Sequence, residues 1–367
     1  MQNILSKKTI IKLIIAALII IGAVIFAVND SFLYDDPIGK IISVDTKSTG
    51  KGKNGDLKYS QTIKIKLQNT EKKGSVYELK NTYTTSKFRT TKYKKGQYVF
   101  LKTGVSKKNG GYGTLGIKIM SFKYDMYWAF LISVLVSLIV LIAGRTAILI
   151  LLSLGLNVVV FALGMLRICK YEDIPRLTVG MTLIFVVGTL LLLFGVSKKS
   201  LGAILSSLIT VGIVFSIYML LTNISGRIQY EYIDYVNGNE PLAEMYCSSL
   251  VFSILGAVMD VAITINVAVA EIVNTGENLT IKKIVASVKE ISNDIMGTMI
   301  NVLFFTFIGG EIPINVLKLA NGYNMMTLFS NGEVFEIMRF LIGAIGVVLA
   351  VPVSGFVAVM LRRKEIR

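Results

Sequence analysis

Asp260 lies in the middle of the apolar run SILGAVMDVAITINVAVAEIV, residues 253–273, which also holds Thr264 and Glu271. In an α-helix these three positions share one face, because Thr264 follows Asp260 by one turn and Glu271 follows it by three. An Asp at the centre of an apolar membrane helix costs ~2.5–3.5 kcal/mol, so it usually has a role in binding protons or ions. The spacing therefore predicts a functional strip on this helix.

A second run repeats the pattern with Asp294, Thr298 and Asn301, and Gly297 beside them would let a neighbouring helix come close. If the two helices run antiparallel, Asp294 is expected at the level of Glu271, and Asn301 near the depth of the centre of the first run. Oxygen-rich clusters in such surroundings bind a proton or a hard cation, or line a hydrated path. The six residues together form the predicted ion, proton or substrate path.

Structural roles are the alternative for each of these residues. The three uncharged members of the strip could be interhelical hydrogen-bonding groups, each contributing about 1 kcal/mol. Asp260 could be held neutral and be purely structural. Glu271 and Asp294 lie near the expected helix ends and could simply be solvated there.

The helices that would carry the strip follow from composition. The chain has 367 residues, 53% of them hydrophobic and only 17% charged. The apolar residues stand in long blocks, and roughly 20 such residues cross a bilayer as a helix. We therefore predict an α-helical multi-pass membrane protein with about eight transmembrane helices. The blocks are residues 10–28, 126–143, 146–166, 176–196, 201–221, 245–270, 295–310 and 336–360.

A small all-β domain is predicted between the first two blocks. Segments such as YSQTIKIKL alternate apolar and polar residues and are separated by turn signals such as KNGD. We expect a five- or six-stranded antiparallel sheet or barrel of the OB or lipoyl-like size class. The domains are then a membrane anchor at 1–29, the β-domain at 30–122 and a seven-helix membrane domain at 123–367.

The β-domain is strongly basic, with 18 Lys and one Arg against 7 Asp and Glu. A Lys-rich coding bias could explain this excess. The other explanation is attraction to an anionic membrane surface or envelope polymer. A nucleic-acid partner is not expected, because no recognised nucleic-acid-binding motif is present.

The basic residues of the short loops predict the orientation of the helices. With the N-terminus in the cytoplasm, most of these residues fall inside, and the outer loop 222–244 is acidic. Loop 167–176 is an exception, with three basic residues against two acidic ones. We predict cytoplasmic N- and C-termini and an extracytoplasmic β-domain, with the helices in the cell membrane.

The sequence has no His and two Cys, Cys169 and Cys247, which excludes His-ligated metals and a thiolate metal cage. No cofactor is expected. The two thiols could form a disulfide near the outer surface or could be unpaired. An enzyme is not expected either, because an aspartyl protease needs two Asp side chains at one depth, and Asp260 and Asp294 are expected to lie roughly 15 Å apart along the helix axes.

The segment ENLTIKKIVASVKEIS, residues 277–292, is amphipathic. It places Ile and Val on one side and Lys on the other. Two arrangements fit this pattern: a helix on the inner membrane surface, or a helix packed on the bundle.

At LGAVMDVAITI and SNDIMGTMINVLFFTFIGG the chain resembles the YibE/F family of bacterial multi-pass membrane proteins. The resemblance covers nearly the whole chain and rests on GAVMDVA, on Glu271 and on DIMGTM with the Asn that follows one residue later. It implies the anchor, the external β-rich domain, the helical block and the marked polar residues. The family pattern has Gly-Arg before the second Asp and Asn-Thr after the motif. Here Ser292-Asn293 and Asn301-Val302 stand there, so a role of that Arg or Thr does not carry over.

Two function classes follow. The first is a cation- or proton-coupled transporter or channel-like protein. The second is a membrane scaffold, sensor or envelope-assembly factor whose β-domain binds a partner. In both, the lipid bilayer is a partner, and a protein partner or a second copy of the chain is left open.

Overall fold

A computed structural model describes residues 7–51, 55–70, 73–86, 90–108, 111–168, 173–225, 241–275, 280–331, 333–363 and 365. Contacts divide the chain into two units, Met1–Ala147 and Ile148–Arg367. In the first unit, the chain forms helix α1 (Lys7–Asn29), then a β-sheet, then helix α2 (Asp125–Ala143). In the second unit, the described residues form helices joined by short turns, without a strand.

The sheet of the first unit is antiparallel and five-stranded, which confirms the small β-domain after the first helix. Its strands follow the order β3-β2-β1-β4-β5 across the sheet. One face carries the core, with Ile41, Ile63, Ile65, Val99 and Leu101 almost wholly buried. The alternation of apolar and polar residues therefore determines which face of the sheet is buried, because successive side chains of a strand point to opposite faces. The strands are β1 (Ile38–Lys51), β2 (Leu57–Leu67), β3 (Val76–Thr84), β4 (Tyr98–Lys108) and β5 (Gly111–Phe122).

A buried ion pair joins the end of the sheet to the two helices of this unit. Lys123 Nζ lies 2.5 Å from Asp30 Oδ1 and 3.0 Å from Asp125 Oδ2, and it donates to the Ala27 carbonyl at 2.8 Å. The Tyr34 hydroxyl donates to Asp125 at 2.7 Å. That hydrogen bond to the carboxylate, with burial, raises the pKa of Tyr34 to about 12. One cation thus fixes the residues that follow α1 against those that begin α2.

The second unit is arranged around one long helix, α6 (Leu242–Thr275). Helix α6 packs against four other helices of the unit, and its buried face is continuous from Tyr246 to Ala270. The other helices of this unit are α3 (Ala147–Ile168), which begins at the last residue of the first unit, α4 (Ile174–Phe194), α5 (Lys198–Ser225), α7 (Ile281–Ala320), α8 (Met325–Asn331) and α9 (Glu333–Leu361). The four that pack on α6 are α4, α5, α7 and α9.

Seven helical stretches of the described chain are long and apolar enough to cross a membrane, whereas the sequence predicted about eight spans. The difference lies in Asp125–Ile168, which forms one stretch of 44 residues. Its two helices, α2 and α3, are separated only by a 3-10 turn at Gly144–Thr146, where Gly144 has a φ of +59°. Because a turn of three residues hardly interrupts the hydropathy, the predicted blocks 126–143 and 146–166 are counted as one apolar stretch.

Helix α7 differs most from its predicted block, residues 295–310, because it runs without a break from Ile281 to Ala320. The amphipathic segment is its first part, and Ile284 and Val288 are buried against the bundle. Packing on the bundle is therefore correct for this segment, and a separate helix lying on the membrane surface is wrong. The last two predicted blocks leave residues 311–335 as a loop between helices. That prediction is also wrong, since α7 continues past Pro313 and α8 follows.

We expect Lys123→Met to lower the free energy of unfolding by about 3–5 kcal/mol, because it leaves the Asp30 carboxylate buried without its cation. The measurement is thermal or denaturant unfolding of the purified protein. Lys118→Met, on the exposed face of β5, is the matched control and should change little. Asp30→Asn added to Lys123→Met should recover part of the loss. Equal stability of the two Lys variants would contradict this role.

Candidate functional site

The three polar residues predicted on α6 lie on its exposed side. Asp260, Thr264 and Glu271 are all exposed, whereas Val261 and Ile265 beside them are buried. The Thr264 hydroxyl donates to the Asp260 backbone carbonyl at 2.8 Å, which is a bond within the helix. Among the described residues no hydrogen bond or ion pair reaches the Asp260 carboxylate. The side chain therefore projects away from the core of the unit.

The three residues predicted on α7 are also exposed and also bond within their own helix. The Thr298 hydroxyl lies 3.2 Å from the Asp294 carbonyl and 3.0 Å from the next carbonyl. Asn301 Nδ2 donates to the Gly297 carbonyl at 2.8 Å. No hydrogen bond between described residues joins this polar stripe to the stripe on α6. The six residues form two exposed polar stripes on two helices that pack against each other.

Contacts to α9 give the register of the two stripes. A Cβ at Gly343 would lie 3.2 Å from Ile254 on α6 and 3.3 Å from Leu303 on α7, so these two residues share a level. Farther along α9, Gly355 is next to Val288, which shows that α7 runs against α9. Gly346 is next to Val258, so α6 runs with α9. Helices α6 and α7 are therefore antiparallel, as expected.

From that shared level, Asp260 lies about 9 Å along α6 and Asp294 about 14 Å along α7, in the same direction. Their axial offset is therefore about 5 Å, and the expected offset of roughly 15 Å is wrong. The cause is the early start of α7 at Ile281, which moves Asp294 away from the helix end. Glu271, in contrast, lies about 25 Å from the shared level, so it is not level with Asp294. The depth argument against an aspartyl protease pair is therefore lost. The remaining argument is that the sequence contains no Gly-x-Gly-Asp, the signature of intramembrane aspartyl proteases.

A second polar feature, which we call the buried polar cluster, was not predicted. It lies between α5, α6 and α9, and each of its members has no solvent exposure. Within it, Asn266 Nδ2 donates to the Ala262 carbonyl at 2.8 Å and to Ser206 Oγ at 3.3 Å. The members of the cluster are Ser206, Ser207, Thr210, Asn266 and Ser354.

The members of the cluster share a level in the bundle. A Cβ at Gly202 on α5 would lie 2.0 Å from Asn266 Oδ1 and 3.4 Å from Leu361 on α9. At the other side, Gly346 is next to both Val214 on α5 and Val258 on α6. The cluster residues of all three helices fall between these two contacts, about 6–12 Å from the level of Gly346.

Four oxygen atoms of the cluster have no hydrogen-bond partner among the described residues: Ser207 Oγ, Thr210 Oγ1, Asn266 Oδ1 and Ser354 Oγ. Other Ser and Thr residues of these helices, Ser206 among them, donate to the carbonyl one turn back. A buried hydroxyl without a partner costs about 1–3 kcal/mol. The cluster thus presents unused oxygen atoms to water, a proton carrier or a hard cation.

A charged pair on α9 lies near the first turns of α6. Arg339 donates to both carboxylate oxygens of Glu336, at 2.6 and 2.8 Å, and to Ser249 Oγ on α6 at 3.1 Å. The Arg339 guanidinium also stands 5.7 Å from the ring centres of Tyr246 and Phe307. Because its contacts hold three helices together, this pair has the geometry of a structural clamp.

Other predicted chemistry is limited to what the described residues show. Cys247 is a buried free thiol, and Cys169 lies outside the described residues. No group of three or more Asp, Glu or Cys side chains in the described part of the chain could hold a metal ion.

Comparison with known families assigns both units. A model of the YibE/F-like protein family matches residues 131–364, and a model of the YibE/F family N-terminal domain matches residues 32–120. The chain belongs to the YibE/F-like family. No curated protein matches the chain, and no solved structure matches it either. Membership of this family, with the seven span-length apolar stretches among the described residues, supports a membrane protein.

Two signals in the sequence could have indicated the buried polar cluster. Asn266 is the amide in the run SILGAVMDVAITINVAVAEIV, and it repeats the apolar face of Val258 and Ala262 at a spacing of one turn. Ser207 and Thr210 likewise share a face of an apolar helix. Their assembly with Ser354 depends on how the helices pack, which the sequence pattern does not give.

We expect Gly202→Ala to destabilise the protein by about 1–3 kcal/mol, because the added methyl group displaces the Asn266 amide from its hydrogen bonds. Thermal unfolding of the purified variant measures the change. Gly212→Ala is the matched control on the same helix, since no atom lies within 4 Å of its Cβ position. It should be neutral or up to about 1 kcal/mol stabilising. Equal melting temperatures for the two variants would show that the close approach is not important.

Proposed function

We propose that this YibE/F-like protein is a cation- or proton-coupled transporter or channel-like protein of the bacterial cell membrane, and that ions or protons meet the Asp260 carboxylate. The observation that supports this best is the position of Asp260. It stands near the middle of the 34-residue helix α6, about 20 Å or more from either end. If α6 is centred on a hydrocarbon core about 30 Å thick, this exposed carboxylate lies close to the bilayer centre.

The second stripe strengthens the proposal. Asp294 lies on the adjacent helix, within about one turn of the level of Asp260. The uncharged members Thr264, Thr298 and Asn301 add hydroxyl and amide oxygen atoms on the same exposed sides. A single acidic residue could be tolerated in a membrane helix without a function. Two Asp residues at nearly the same depth, each within a polar stripe, would provide a series of sites for a cation or proton.

The exposure of the stripes adds a requirement. In the single chain these polar side chains are uncovered, and in a bilayer they would contact lipid at a cost of several kcal/mol. The proposed path therefore needs a covering surface, for which a second copy of the chain or a partner protein is the candidate. Covering would enclose the carboxylates and leave room for ions or water between the two surfaces.

The proposed orientation keeps both termini in the cytoplasm, which requires α2 and α3 to cross the membrane separately, so that the seven apolar stretches make eight crossings. Lys198, at the start of α5, pairs with Glu365, which follows α9, so these two helix ends lie together. The nearby Lys199 and Arg363 make this end of the bundle basic. The positive-inside rule then favours the cytoplasmic side for it. The proposal gives the carboxylates no catalytic role.

A scaffold, sensor or envelope-assembly role is the second candidate, and the sheet favours it. The face of the sheet opposite its core carries the exposed side chains of Lys64, Lys66, Lys80, Lys102 and Lys118, against Glu78. Lys102 and Lys118 are direct cross-strand neighbours. Like charges in this position destabilise a sheet, so their presence favours a role in binding. Such a face fits an anionic envelope polymer or an anionic membrane surface.

We expect Asp260→Asn to reduce cation or proton flux at least tenfold in liposomes that contain pH- and cation-sensitive dyes, because the amide cannot bind a proton or neutralise a cation. The protein should still insert and remain monodisperse. Glu290→Gln, which removes an exposed carboxylate elsewhere on α7, is the matched control. Full flux through the Asp260 variant, or full complementation of a deletion strain by it, would reduce the carboxylate to a structural role.

Removing residues 30–122 separates the two candidate functions. A transporter core should keep its flux in liposomes, whereas a sensor or assembly factor should lose all activity in cells. A companion variant with Lys64, Lys66, Lys102 and Lys118 changed to Gln keeps the fold and removes only the basic face. If this variant loses cellular activity while flux is unchanged, the β-domain binds an anionic partner. If flux disappears with the domain, a transport core independent of it is refuted.

A further inference from the structure

A cavity of about 680 Å³ lies between α4, α5 and α6, and none of its lining residues belongs to the polar stripes or to the buried polar cluster. Its walls come from the first turns of α4, the second half of α5 and the first turns of α6. Most of the lining is aliphatic or aromatic, with Phe215 and Tyr218 on α5. This volume and composition are those of pockets that hold drug-sized molecules.

One polar side chain in the wall has an unused hydrogen-bonding capacity. Thr182 is one of the residues that line the cavity, it is only 6% exposed, and no described residue hydrogen-bonds its hydroxyl. The neighbouring hydroxyls of Thr178 and Ser248 are satisfied, since they share a hydrogen bond of 2.6 Å and each contacts a carbonyl of its own helix. Thr182 therefore offers a bond to a molecule inside the cavity, and an occupant could recover the cost of its burial.

The charge of the cavity has one sign. Glu244, in the first turn of α6, lines the cavity and is exposed, and the described lining residues include no Lys or Arg. Aromatic faces in the wall also attract cations. An anionic molecule would be repelled here, and a cationic one attracted.

We propose that this cavity binds a small amphiphilic cation, with its apolar body between α4, α5 and α6, its positive charge near Glu244 and a polar atom at Thr182. A phospholipid acyl chain would fill the apolar walls but would leave Thr182 without a partner and gain nothing from Glu244. The binding requires no ion flux, so it stands or fails separately from the transport role of Asp260.

The test uses the full-length protein in nanodiscs of zwitterionic lipid and the fluorescence anisotropy of two xanthene dyes. Rhodamine 6G is a cationic amphiphile with N–H groups, and fluorescein is its anionic counterpart. Rhodamine 6G should bind saturably, and fluorescein should not. Empty nanodiscs correct for partition of the dye into lipid.

Two glycines provide a matched pair of filling variants. No atom lies within 4 Å of the Cβ position of Gly212 or of Gly180, but only Gly212 lines the cavity. Gly212→Leu should raise the Kd for rhodamine 6G at least tenfold, whereas Gly180→Leu should leave it unchanged. Glu244→Gln should raise the Kd about three- to fivefold, which is the loss of affinity expected when one exposed ion pair is removed. Thr182→Val should raise it by about two- to tenfold, as for the loss of one hydrogen bond.

Several results would overturn the proposal. Equal binding of fluorescein would remove the charge argument, and equal effects of the two Leu variants would place the dye elsewhere. A phospholipid found by native mass spectrometry in the wild type and lost in Gly212→Leu, without dye binding, would make the cavity a lipid site. If Gly212→Leu fails to fold, the surface change Glu244→Gln decides, and an unchanged Kd in that variant refutes the site.

Discussion

The arrangement of this protein depends on how one apolar helix, α6, is held by its neighbours. Its buried face packs against α4, α5, α7 and α9, and this packing fixes both its rotation and its level. A helix satisfies its own backbone hydrogen bonds, so polar side chains are the only groups on it whose hydrogen bonds depend on the surroundings. Rotation then decides the fate of each one: Asn266 is directed into the bundle and Asp260 away from it.

Three polar environments follow one another along α6. The cavity with Thr182 and Glu244 lies beside its first turns, the carboxylate of Asp260 stands near its middle, and Asn266 belongs to a cluster of unused oxygen atoms farther on. These environments differ in exposure and in charge. An amphiphile, a proton or cation, and water could each be accommodated at a different level of one helix. The polar groups are thus distributed along the bundle rather than concentrated in one enclosed site.

The parts of the fold that local patterns determine were predictable. The alternation in QTIKIKL gave the buried face of β2, and apolar block length gave most helices. The start of α7 was not predictable in this way, because its lysine-bearing first turns resemble a surface helix, although Ile284 and Val288 pack into the core. That error moved Asp294 by about two turns. The buried polar cluster was missed because its members come from three helices, and only their packing brings Asn266 and Ser354 to one level.

The most direct test of the central claim is the membrane depth of the two acidic positions. Nitroxide labels at positions 260 and 294, in separate variants with both native cysteines replaced, can be measured by power saturation with oxygen and a nickel complex. The account predicts similar depths for the two labels, both near the bilayer centre, with a label at position 271 clearly shallower. A label at 260 or 294 in the headgroup region, or one at 294 level with 271, would contradict it.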